Sequence, residues 1–304
     1  MAKEFLYGKT LGELQTVCAE LQLPRFVAKQ IADWLYRKNV RTIDEMTNLS
    51  KVARAALSER FELGLHVPEG EQTSSDGTKK YLYRTSEDEF VESAYIPDRE
   101  RATLCVSSQA GCRMGCRFCA STIGGRVRDL GADELLGQVI AASRDTGERV
   151  SNIVMMGIGE PLDNYDNVLK MLELITDEKG QNMSMRHISL STCGIVPRIY
   201  QLADEKLGLT LSISLHAPNN NIRGKSMPIN KKYDVDVLLS ACRKYAGETS
   251  RRISFEYSML SGFNDTDECA CELGKRLKGM LCHVNLIPVN SVKERNYKKR
   301  KYNN

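Results

Sequence analysis

From Thr103 onward, short apolar runs alternate with amphipathic helical stretches, and no other feature restricts the possible folds so far. TLCVS leads to ADELLGQVIAASR, NIVMM to NVLKMLELITD, HISLST to VPRIYQLAD, LTLSISL to VDVLLSACRKY, and ISFEYSML to ECACELGKRLKG, with HVNLIPV last. Six strands interleaved with five helices predict an α/β fold with parallel strands, because parallel neighbours need a crossover and a helix supplies it. Six units are too few for an eight-stranded barrel, so the expected core is a partial (β/α)6 TIM-type barrel. The placement of the unusual residues favours this open barrel over a doubly wound sheet. SSQAGCRMGCRFCAS follows strand one, GIGEPLDN strand two, STCG strand three, SLHAP strand four and PVN strand six. Each cluster lies just past the C-terminal end of a strand, where barrels build active sites.

The first 65 residues read as helical. Thr10 with Glu13 fits a capping box ahead of LQTVCAELQL. RFVAKQIADWLYRK and SKVARAALSERF carry two further helical patterns. The period then changes. Asp76-Gly77 is a turn signal, and KKYLYRTSEDEFVESAYIP reads as a short β-hairpin. An N-terminal helical accessory region with a hairpin is therefore expected over 1–97, and the α/β core over 98–304.

Nothing in MAKEFLYGKT resembles a secretory signal, no segment approaches membrane-spanning length, and the net charge is only +4. A cytosolic protein is expected, with no membrane association and no charge imbalance that would by itself announce nucleic acid. Ten cysteines in a reducing compartment then point to metal or redox chemistry rather than a disulfide framework. Cys18, Cys242, Cys269, Cys271 and Cys282 lie in apolar or helix-like stretches and read as buried, inert thiols.

CRMGCRFC sets Cys112, Cys116 and Cys119 within eight residues. Structural zinc and ordinary iron–sulfur clusters take four protein ligands, so three leave a corner over. Gly111 and Gly115 permit the turns that would converge the thiolates, and Arg113 and Arg117 bring positive charge. A 4Fe–4S cluster with one open iron fits the trio. A zinc ion completed by His66, His187, His216 or His283 is the other reading, although the second cysteine pair usual for zinc is missing.

Placed after the first strand of a βα series, CRMGCRFC resembles the radical S-adenosylmethionine (SAM) signature C-x3-C-x-aromatic-C. VESAYIP, ATLCVSSQAGC, MMGIGEPLDN, LSTCGIVP, SLHAPN, MPINKKY and HVNLIPVN, in that order, closely resemble the RlmN/Cfr family. The likeness to its RlmN branch runs from the N-terminal helices to about Glu294. It implies one 4Fe–4S cluster on Cys112, Cys116 and Cys119, with SAM chelating the open iron. It also implies SAM contacts from Gly159, Glu160, Ser191, Ser214, Leu215, His216 and Asn290. The implied activity is methylation of carbon 2 of adenine in 23S rRNA and tRNA by a monomer that draws electrons from flavodoxin or ferredoxin.

Carbon 2 of adenine has no nucleophilic character, so attack on a sulfonium methyl is closed and a radical is needed. In the family a methyl passes from SAM to a cysteine near the C-terminus. A deoxyadenosyl radical from a second SAM then takes a hydrogen from that methyl, and the carbon radical adds to the ring. A base removes the ring proton, and a second cysteine releases the crosslink by forming a disulfide. By position Glu92 matches the base and Cys105 the resolving cysteine. On residues alone they read as a hairpin surface carboxylate and a buried strand thiol.

The likeness thins after Asn290. SVKERNY remains similar, KKRKYNN does not, and no cysteine follows Cys282, whereas the family carries an ACGQL-like motif with the methyl-accepting cysteine. The expectation is a truncated chain that binds cluster and SAM without completing methyl transfer, its last strand short of apolar cover. A basic tail that contacts RNA is the functional alternative. Basic residues of the N-terminal helices and Lys225, Lys231 and Lys232 are candidate phosphate contacts. The rival functions are a radical SAM enzyme acting on a protein or small molecule, and a non-catalytic metal-binding protein.

Overall fold

The computed structural model describes residues 3–85, 89–99, 101–290, 292–294 and 297. The chain divides into two compact units that alternate along the sequence: 1–106, 130–153 and 166–185 form the first, and 107–129, 154–165 and 186–304 the second. Among the described residues no helix is long and apolar enough to cross a membrane.

The first unit holds β1 (Glu4–Phe5), α1 (Leu11–Glu20), α2 (Phe26–Ala32), α3 (Lys51–Arg60), β2 (Phe61–Glu62), β3 (Gly70–Thr73), β4 (Lys79–Arg84), β5 (Phe90–Asp98), β6 (Arg101–Cys105), α4 (Ala132–Thr146) and nearly all of α5 (Tyr165–Thr176). The capping box at α1 forms: Thr10 Oγ1 accepts from the Glu13 N–H at 3.3 Å, and Glu13 Oε2 accepts from the Thr10 N–H at 2.7 Å. The helix expected over RFVAKQIADWLYRK is present, but its end, Asp33–Arg37, widens into a π-helical turn. Leu14, Val17, Val27, Ile31 and Leu35 are buried, as helical spacing requires.

The hairpin is part of a longer antiparallel meander, β3-β4-β5-β6. At its first turn Gly77 takes φ +84°, and the Thr78 N–H donates to Asp76 Oδ1 at 3.0 Å. TLCVS, expected to open the parallel series, runs antiparallel to β5. Arg99 at φ +50° makes the tight return between them, a turn that ends in no Gly or Pro signal. Residues 86–88 of the expected hairpin lie outside the described residues.

The second unit holds β7 (Gln109–Gly111), β8 (Arg126–Asp129), part of β9 (Asn152–Met155), β10 (Ile188–Thr192), α6 (Val196–Asp204), β11 (Thr210–Ser214), α7 (Asn220–Ser226), α8 (Val235–Thr249), β12 (Ile253–Met259), α9 (Asp267–Leu277) and β13 (Cys282–Pro288). Strands β10 to β13 pair in order and in parallel. Successive residues alternate faces. Leu190, Leu211, Ile213 and Phe255 fall on the apolar face and are fully buried. Ser189, Ser191, Ser212, Ser214, Ser254 and Glu256 occupy the other, where Ser189 and Ser212 hydroxyls meet at 3.0 Å. On that face Ser254 and Asn285 both donate to the buried Glu256 carboxylate, at 2.6 and 2.7 Å.

Two thiols depart from expectation. Cys18, Cys242 and Cys269 are buried, but Cys271 is exposed and Cys282 half-buried. Cys271 lies two residues beyond Cys269 on α9, about 200° around the helix, so the two cannot share a face. Cys282 opens β13, which pairs with β12 alone among the described residues and leaves Leu286 57% exposed.

Candidate active site

The cysteine loop is an excursion from a small hairpin. β7 and β8 pair antiparallel with a bulge at Ala110/Gly111, and the Cys112 N–H donates to the Gly125 carbonyl at 2.8 Å. Gly111 sits at φ +72°, and a Cβ there would strike that same carbonyl. Beneath the hairpin the fully buried Gln109 donates to Asp129 at 2.7 Å and to Asp163 at 3.0 Å, and its Oε1 accepts the Glu160 N–H at 2.9 Å. Arg113, expected to lend its charge to the cysteines, is instead paired with Asp163. Burial works against that carboxylate, but Arg113 and Gln109 hold it below its usual range. Arg117 is exposed.

Cys112 and Cys116 are buried and Cys119 is half-buried. Cys116 packs with Cys193 and Met227 in an apolar cluster to which Met114, Phe118, Cys119, Ile195 and Ile229 contribute. Burial, followed by the neighbouring thiols of Cys119 and Cys112, pushes the Cys116 thiol up to about 12. Burial again comes first for Cys112, pushed up to about 11, with Glu160 and Cys119 adding to it. Among the described residues no three His, Cys, Asp or Glu side chains are arranged to hold a single metal ion. None of the four histidines joins the trio: His216 meets the ring of Phe118 edge-on at 4.9 Å, and its Nδ1 is taken. Three thiols from one short loop, with no histidine joining them, are a donor set for an iron–sulfur cluster rather than for zinc.

The expected SAM residues divide by environment. Gly159 takes φ +109°, and a Cβ there would come within 2.7 Å of Gln109 and Ser108. The buried Glu160 carboxylate accepts the N–H groups of Leu162 at 3.1 Å and Cys193 at 2.7 Å, which ties the β9 loop to STCG. Burial raises it despite these bonds. Ser191 and Ser214 are half-buried on the polar face of the parallel strands, and Leu215 is fully buried. His216, at φ +54°, accepts the Ser258 N–H on Nδ1 at 2.9 Å, so its proton resides on Nε2. Burial, then the nearby Arg223 charge, lowers it to about 3. Asn290 lies exposed just past β13.

Glu92 and Cys105 both belong to the first unit. Ala94 on β5 stands opposite Cys105 on β6, and Glu92 lies two residues along on the same face. Such diagonal neighbours are about 7–8 Å apart. Lys80 of β4 faces the same way and pairs with Glu92 Oε1 at 2.6 Å. Both residues, with Leu82, line a shallow cleft of about 200 Å³.

Sequence reasoning passed over Gln109, Asp163 and Arg223. Arg223 of α7 is fully buried and donates to four acceptors: Cys193 O at 2.6 Å, Ser214 O and Leu215 O at 3.2 Å, and Asn230 Oδ1 at 3.3 Å. No local pattern in NNIRGKS distinguishes it from a solvated arginine.

Comparison with known proteins agrees with this geometry. Residues 106–273 match the Radical SAM superfamily, and residues 6–63 match the Ribosomal RNA large subunit methyltransferase N-terminal domain. A relative from Clostridium novyi named "Probable dual-specificity RNA methyltransferase RlmN" is 50% identical over 96% of this chain and 85% of its own length. One of the same name from Lachnospira eligens is 51% identical over 94% of the chain and 82% of its own. A crystal structure of a radical SAM methyltransferase from Sphaerobacter thermophilus superimposes with a TM-score of 0.93 at 42% identity, covering 98% of this chain and 89% of that one. SuiB of Streptococcus suis, solved with SAM, shares the fold at 15% identity and a TM-score of 0.50. The chain belongs to the RlmN family of radical SAM methyltransferases, enzymes that work with a 4Fe–4S cluster and SAM.

Proposed function

We propose that the chain acts on carbon 2 of adenine in 23S rRNA and tRNA by radical SAM chemistry. The observation that carries the reading is the loop that holds Cys112 and Cys116 buried and Cys119 half-buried, in a chain whose residues 6–63 match an rRNA methyltransferase domain. Cys112, Cys116 and Cys119 would hold the 4Fe–4S cluster, which would supply one-electron reducing chemistry toward SAM.

The chain's own residues fit the remaining tasks. The Glu160 carboxylate, held by the Leu162 and Cys193 N–H groups, is with the Gly159 carbonyl what the site offers the SAM ammonium. Ser191 and Ser214 offer hydroxyls. His216, neutral, presents an Nε2–H donor. Glu92 is the assigned base for the ring proton; its Oε1 bond to Lys80 must yield when the proton arrives. Cys105, on the same face, is the assigned resolving thiol. Asn290 stands ready at the end of β13 to close over SAM. The target base must be single-stranded or flipped out, because an adenine inside a duplex is out of reach. The N-terminal region and the exposed Lys225, Lys231 and Lys232 are the assigned RNA contacts, and flavodoxin or ferredoxin the electron donor.

Anaerobic reconstitution with SAM, a reductant and tRNA, scored for 5′-deoxyadenosine, tests this reading. Release of 5′-deoxyadenosine is the expected result, and its absence from iron-loaded protein would overturn the radical SAM assignment.

A further inference from the structure

Arg223 is the one fully buried arginine among the described residues, and all of its hydrogen-bond partners are neutral: three main-chain carbonyls and the Asn230 amide oxygen. A guanidinium does not deprotonate, so the charge stays in the interior. Neutral acceptors satisfy its donors but leave its charge uncompensated, a costly state unless an anion lies nearby. No Asp or Glu forms an ion pair with it among the described residues. The ionisable neighbours that favour its charge are thiols, Cys193 and Cys116 foremost.

Its helix is built into the cysteine loop. The Arg117 N–H donates to the Ser226 carbonyl at 2.8 Å, Met227 packs against Cys116 and Cys193, and Gly115 has room for a Cβ only 3.4 Å from Pro228. Arg223 is thereby held beside Cys193, which packs against Cys116, its fork clamped to the main chain at Cys193, Ser214 and Leu215. Fork geometry of this kind suits arginine and not lysine.

We propose that Arg223 is the buried counter-charge of the cluster held by Cys112, Cys116 and Cys119, and that it raises the cluster's reduction potential while positioning the Ser214–Leu215 edge. The inference rests on the cluster assignment made above. Reduction takes one electron from a low-potential donor, a reduced flavoprotein or ferredoxin in class and dithionite in the test. No bond is made or broken and no proton is taken up, so the negative charge carried with the three thiolates deepens by one. A fixed positive charge in a low-dielectric interior favours that deeper charge. Arg223 is thus a positioning residue, which acts on the chemistry through the cluster and not by touching substrate.

Two measurements decide it. The first compares anaerobically reconstituted wild type, Arg223→Lys and Arg223→Gln, with iron content and midpoint potential read by redox titration followed by electron paramagnetic resonance. Both variants lose the fork; only lysine keeps the charge. Arg223→Gln is expected to have a more negative midpoint than Arg223→Lys, which stays near wild type. Equal midpoints for the two variants at full iron content would overturn the proposal. The second uses Asn230→Asp, nearly isosteric, which places a carboxylate on the guanidinium and spares the fork. The cluster-free Asn230→Asp protein is expected to melt at a higher temperature than cluster-free wild type, because the charge gains its missing partner. A lower melting temperature would overturn the proposal even if neither Arg223 variant folds. Wild type that binds no iron would instead defeat the cluster assignment and leave the melting comparison to judge Arg223 alone.

Discussion

Single residues carry the sharpest constraints. Gly159 combines φ +109° with backbone and side-chain atoms 2.7 Å from where a Cβ would be. Gly159→Ala is expected to destabilise the protein by roughly 1–3 kcal/mol or more, read by denaturant unfolding; a change below about 0.5 kcal/mol would mean the loop relaxes freely. His216 gives a pH signature. It is neutral when folded down to about 3, against an ordinary value of 6.5. Above pH 6.5 both states are neutral; as pH falls toward 3 the unfolded chain takes up a proton that the folded chain refuses. Stability is therefore full above 6.5 and declines below it, by up to about 5 kcal/mol at pH 3. His216→Gln should flatten the difference in unfolding free energy between pH 7 and pH 4 relative to wild type, and an unchanged slope would contradict the assignment. Glu92, 42% exposed with its partner at 49%, should lose less than about 1 kcal/mol on conversion to Gln. A larger loss in melting experiments would mark it as structural. The cysteine trio was legible because spacing alone makes three thiols converge. Arg223 was not, because a sequence does not record whether a long charged side chain turns inward.

Among elements, the six strands and five helices of the α/β series were all legible, since each spans at least one clear hydrophobic period. The β7–β8 hairpin was invisible: QAG is three residues long and contains the bulge, and three of the four residues of RVRD are charged. Yet this hairpin positions the cysteine loop, through Gln109 and its two carboxylate partners. Gln109→Leu removes its bonds to Asp129, to Asp163 and from the Glu160 N–H, the two to carboxylates at about 1.5–3 kcal/mol each. Lower melting temperature and faster iron loss on chelator challenge are expected together. Intact iron retention would show that the hairpin does not depend on Gln109. The length of the antiparallel meander was likewise hidden, because at the β5–β6 return the positive φ falls on Arg99 and not on a glycine.

At the scale of the whole molecule, a net charge of +4 gives little long-range attraction to RNA, so binding must rest on local groups. If Lys225, Lys231 and Lys232 contact phosphates, changing any one to Ala should reduce the slope of log affinity against log salt by about 0.7–0.9. An unchanged slope for all three would move the RNA surface elsewhere. Residue types and order announced the family across both units, but only the folded chain brought Glu92 and Cys105 onto one face and packed Cys116 and Cys119 with Cys193 in one apolar cluster. The decisive measurement is iron, sulfide and zinc analysis of oxygen-free protein, coupled to 5′-deoxyadenosine release on adding SAM and dithionite. About four irons per chain and release of the nucleoside are expected, both lost in Cys116→Ala. Zinc without iron, or full iron with no 5′-deoxyadenosine, would contradict the assignment of the trio.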